Sequence, residues 1–91
     1  MTEYRIVATI DTVDRFGKKE HRENACPVHH RTFHKLVTKD KKTAEKWLSD
    51  TIEFCGEHDR KTQKSNDPWN IKYTQTNIRI QTREVTDWAD Q

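Results

Sequence analysis

Ninety-one residues at 10.9 kDa suffice for one domain, and with 28 apolar positions (31%) against the roughly 45–50% of an average soluble domain its core is lean. Leu, Ile, Val and Phe number only 16, a level associated with disorder, yet 17 basic against 15 acidic side chains leave a net charge of +2, too little to hold the chain open by repulsion. The charge is also evenly spread, with seven basic and five acidic residues up to Lys35, seven and six over 36–65, and three and four beyond. This excludes the strongly basic stripe of a duplex-DNA binder.

The first element is a strand. Over Glu3–Val13, Tyr4, Ile6, Ala8 and Ile10 share one face and Arg5, Thr9 and Asp11 the other, the period of a half-buried strand. Asp14 to Lys19 reads as a turn, with Gly17 free to take a positive φ. Glu20 to His30 is polar, contains Pro27 and reads as a loop with at most a short edge strand. Arg31 to Thr38 suggests a second strand in which Phe33, Lys35 and Val37 alternate with His34 and Leu36.

Asp40 then stands where a helix N-cap belongs. Ala44, Trp47, Leu48, Thr51, Ile52 and Cys55 follow at three- and four-residue spacing, one face of an amphipathic helix, which Gly56 is expected to end. Glu57 to Pro68 carries no large apolar residue and reads as a solvent loop, mobile or functional. Beyond it, Trp69, Ile71 and Tyr73 alternate on odd positions but Ile78 and Ile80 on even ones. Either a bulge shifts the register or the chain reverses near Thr76-Asn77; the hairpin, with strands Trp69–Gln75 and Ile78–Thr86, is favoured. The tail beyond it, 87–91, carries Trp88 among acidic residues.

The expected fold is α+β: a mainly antiparallel sheet of about four strands, in the order β-β-α-β-β, with one helix on one face. Trp47, Leu48 and Ile52 are expected to cover that face, and Trp69 to join Trp47 in the core. The other face would stay polar, meet a second copy or receive a partner, and so lean a core favours a homodimer. With no apolar run long enough to span a bilayer and no leader pattern, a cytoplasmic location without a membrane partner is expected.

Three classes of site can be read from the residues. Cys26-Pro-Val-His29 and Cys55-Gly-Glu-His58 form two Cys-x-x-His pairs, together the ligand number of a tetrahedral zinc site that would add folding free energy; the plainer reading is a buried Cys55, a loop thiol at Cys26 and solvated histidines. Arg15, Lys18, Lys19, Arg22, Arg31 and Lys35 interleave with Phe16 and Phe33 as single-strand nucleic-acid binding requires, but Asp14, Glu20 and Glu23 dilute the charge, and an ordinary solvated hairpin is preferred. Trp88 is the first candidate anchor for a protein partner, followed by the Glu57 to Pro68 loop, and Trp69 is a further candidate. With two glycines, no phosphate loop and no nucleophile elbow, the chain is not expected to be an enzyme.

A strand opening Tyr4-Arg5-Ile6, a helix built on Ala44-x-x-Trp47-Leu48, and a last strand reading Ile78-Arg-Ile-Gln-Thr-Arg-Glu-Val-Thr-Asp-Trp88 resemble the small accessory proteins of actinobacterial phages. The resemblance implies a non-enzymatic protein that binds a host protein in the host cytoplasm. It carries no catalytic residues.

Overall fold

The computed structural model describes residues 2–27, 37–84 and 88–90. Its fold is α+β, with β1 (Glu3–Val13), β2 (Lys19–Ala25), β3 (Val37–Thr38), the helix α1 (Lys41–Lys64), β4 (Lys72–Arg83) and β5 (Ala89–Asp90). All pairings are antiparallel in the order β2-β1-β4-β5, with β3 beside the first residues of β1. β1 is therefore central, which suits the segment with the clearest alternation.

Ile6 and Ile80 pair across β1 and β4, and with Ala44 of α1 they form the buried cluster, flanked by Tyr4, Trp47, Leu48 and Ile78. Thr51 and Cys55 continue the buried stripe of α1. Ile52, by contrast, is 51% exposed and does not cover the sheet. At one hundred degrees per residue it falls outside the arc defined by Ala44, Thr51 and Cys55.

β4 is one strand, not a hairpin. Val7 pairs with Arg79 but Thr9 with Thr76, so Ala8 faces both Asn77 and Ile78 across a bulge whose Asn77 has φ 51°. The extra residue restores the facing of Tyr73 and Gln75, which lie with Ile78 and Ile80 on the helix side despite their opposite parity. A second bulge lies on the other side of β1 at the same level: Ala8 pairs with Ala25 and Ile10 with Arg22, and Asn24 has φ 53°.

β2 occupies the stretch expected to be mostly loop. Its residues Lys19–Asn24 are all exposed, so neither face shows the apolar alternation that marks a half-buried strand. Of the strand expected over 31–38, Val37 and Thr38 are observed; the rest lies outside the described residues.

The helix begins as expected, with the Asp40 carboxylate accepting from Lys42 N at 3.1 Å and from the Thr43 hydroxyl at 2.6 Å. It does not stop at Gly56 and continues to Lys64, converting most of the expected 57–68 loop into helix. The added turns are held by polar contacts to β4. Asp59 accepts from Gln75 N at 2.6 Å and Gln75 Nε2 at 3.0 Å, Thr62 Oγ1 accepts from Tyr73 N at 3.0 Å, and Gln63 Nε2 donates to Tyr73 O at 3.0 Å. These bonds offset the roughly 1 kcal/mol that an interior glycine costs a helix.

Candidate functional site

The hairpin between β1 and β2 and the connection from α1 to β4 meet at one end of the molecule, and each is locked by an aspartate. Asp14 Oδ1 accepts from Phe16 N at 2.8 Å and Lys18 N at 2.9 Å, while Gly17, at φ 79°, completes the turn by donating to Asp14 O at 3.0 Å. Asp67 Oδ1 accepts from Trp69 N at 2.9 Å, and Asn70 N donates to Asp67 O at 3.1 Å. Side chains that satisfy the backbone two residues on are the usual means of fixing such turns.

Both aspartates thus hold an aromatic residue two positions later, and the aromatics converge on one cation. The Arg15 guanidinium lies 3.6 Å from the Trp69 ring centroid and 4.4 Å from that of Phe16. Trp69 is 70% exposed and Phe16 78%, and Ile71, two residues beyond Trp69, is also exposed. Trp69 is therefore not part of the core. The arrangement is a pre-set aromatic and cationic surface at a loop end, which side-chain stacking keeps in place without burying it.

Trp88 lies elsewhere, on the sheet face away from α1. The guanidiniums of Arg5 and Arg83 stand 4.2 and 4.6 Å from its ring centroid, and Arg5 also donates through Nε and Nη2 to Gln81 Oε1 at 3.0 and 2.8 Å. Burial and the neighbouring Arg83 charge both lower the pKa of Arg5. Arg79 ties this face together: it bonds the Asn24 side chain of the β2 bulge, donates to Asn77 O of the β4 bulge at 3.0 Å, and reaches Asp90 of β5 at 2.9 Å. That face is a hydrogen-bonded polar network around a half-buried tryptophan.

The two Cys-x-x-His pairs occupy different settings. Cys55 is buried in α1, while the ring of His58, one turn on, packs edge-on to Tyr73 with centroids 5.1 Å apart. Cys26 follows β2 beside a cavity of about 500 Å³ whose lining includes Ile10, Ala25, Pro27 and Tyr73. Burial pushes its thiol pKa up, with Arg5 opposing, the direction that disfavours the thiolate. His29 lies outside the described residues, among which no three His, Cys, Asp or Glu side chains gather as metal ligands.

Of the basic residues read as a nucleic-acid surface, Lys18 and Arg22 both approach Glu20, at 3.8 and 3.7 Å, and Lys19 is exposed on the same strand. Arg31 and Lys35 lie outside the described residues. His21 is bracketed by Asp11 at 2.5 Å and Glu23 at 3.2 Å, and its hydrogen bonds to these carboxylates raise its pKa. The β2 face is thus internally compensated. What sequence reading missed is the meeting of Arg15, Phe16 and Trp69, whose only signal is the repeated Asp-x-aromatic spacing in two distant turns.

No helix among the described residues is long and apolar enough to cross a membrane. Compared with family models, with curated proteins and with solved structures, the chain matches none.

Proposed function

We propose that this chain acts by binding another protein, with the Phe16–Arg15–Trp69 surface as the anchor. One observation carries this reading: two large aromatics and an arginine, the residue types that dominate binding energy at interfaces, are held together in the open by two aspartate-locked turns. Fixing them before contact reduces the ordering cost of association. The resemblance to phage accessory proteins makes a host protein the expected partner, and no step of this reading calls for catalysis.

A single-stranded nucleic acid is the second reading, because the same three side chains offer stacking surfaces beside a cation. The pairing of Lys18 and Arg22 with Glu20 argues against it, since phosphate tracking needs uncompensated charge. Affinity capture with wild-type chain and with Phe16→Ala/Trp69→Ala, each with and without nuclease, separates the readings. A nuclease-resistant protein captured by wild type and lost by the double variant supports the first. Capture that disappears on nuclease treatment replaces it with the second, and capture unaffected by the double variant rejects this surface.

A further inference from the structure

Among the described residues β2 is an edge strand. In the hairpin, Asp14 N donates to Lys18 O at 3.0 Å. From that closing bond the antiparallel alternation turns the backbone groups of Lys18, Glu20 and Arg22 toward β1, and those of Lys19, His21 and Glu23 outward. The far side of β1 agrees: Tyr73 and Gln75, opposite Thr12 and Ile10, send their N–H groups away from β1 to Thr62 and Asp59. Among the described residues, no strand pairs with β2 on its outer side.

An exposed edge is normally blunted by charge. Here the charges read +, −, His, +, − from Lys19 to Glu23, an order that becomes complementary when the strand is inverted on itself. With His21 on the two-fold axis, Lys19 faces Glu23 of the second copy and Glu20 faces Arg22, and outward-pointing residues meet outward-pointing residues as the hydrogen bonds require. Moving the axis to Arg22 sets Arg22 against itself, and moving it to Glu20 sets Glu20 against itself and Lys18 against Arg22. Axes between residues pair outward groups with inward ones and form no ladder. Axes on Lys19 or Glu23 likewise set that residue against itself. The His21 register gives the most opposite-charge pairs; it brings the two His21 side chains together, and each keeps Asp11 and Glu23 of its own chain as counter-charges.

We propose that β2 pairs antiparallel with β2 of a second copy about His21, joining two sheets into one. The Phe16–Arg15–Trp69 surfaces would then sit at opposite ends of the joined edges. This inference uses different residues from the protein-binding reading and stands apart from it.

Sedimentation equilibrium over a wide concentration range, with Glu20→Arg and Arg22→Glu separately, combined in one chain, and mixed as two chains, tests it. Each single reversal sets like charges across the axis twice, whereas the double variant and the equimolar mixture restore opposition. Wild type should dimerise, each single variant should associate roughly tenfold more weakly, and the double variant and the mixture should recover wild-type association. Because all positions changed are exposed, circular dichroism should show every variant folded, and the mixture tests the pairing with the same two chains that fail alone. A monomeric wild type, or single variants that associate as well as wild type, would overturn the register.

Discussion

The two long edges of the sheet are finished in different ways. Along β4, Asp59, Thr62 and Gln63 of α1 take up the outward groups of Tyr73 and Gln75, and β5 pairs with Gln81 and Thr82 further along. Along β2, the corresponding outward groups of Lys19, His21 and Glu23 have no strand beside them among the described residues, and the side chains are charged. A chain this poor in apolar residues closes one edge with buried polar side chains rather than with more core. It leaves the other to solvent or to a second copy.

The largest effect of breaking this arrangement is expected at Asp59. Asp59→Ala removes the acceptor from Gln75 N and Gln75 Nε2 in a buried setting, and about 3 kcal/mol of stability should be lost in urea unfolding. Arg79→Ala should cost less, roughly 2 kcal/mol, because it releases both bulges and β5 at a site partly open to solvent. Gly56→Ala should act in the opposite direction. A Cβ there meets nothing within 4 Å and the helix interior favours alanine, so a gain of about 1 kcal/mol and a higher Tm are expected by thermal melting.

On the open edge the stability effects are smaller. Hydrogen bonds to Asp11 and Glu23 favour the protonated form of His21, so its pKa lies above the unfolded value. Its contribution is fully present below the ordinary histidine pKa of about 6.5 and is lost as pH rises through the higher folded value. An NMR titration of the imidazole should show a midpoint above 6.5 that falls in Asp11→Asn. A midpoint at or below 6.5 in wild type would show that the carboxylates do not hold the ring.

The contrast between the edges also explains what could be read from the sequence. β1 was legible because Tyr4, Ile6, Ala8 and Ile10 alternate along its helix side, although Val7 on the other face is buried too, and the helix start because Asp40 caps it. The parity change between Tyr73 and Ile78 was legible too, but as an ambiguity: a bulge and a hairpin leave the same trace, and Asn77 suits both. The helix beyond Gly56 was hidden because Asp59, Thr62 and Gln63 secure it by hydrogen bonds, which leave no apolar period. β2 was hidden because an edge strand exposed on both faces has no side to distinguish. Composition also left Trp69 undecided: a lean core invites every tryptophan inward, and only the meeting of two turns around Arg15 shows why this one stays out.

Residue-resolved hydrogen exchange tests the difference between the edges most directly. In dilute solution the amides of Tyr73 and Gln75 should be protected to near the global stability, while those of Lys19, His21 and Glu23 exchange with little protection and slow as the protein concentration rises. Equal protection of the two sets in dilute solution, or rapid exchange at Tyr73 and Gln75, would contradict the account.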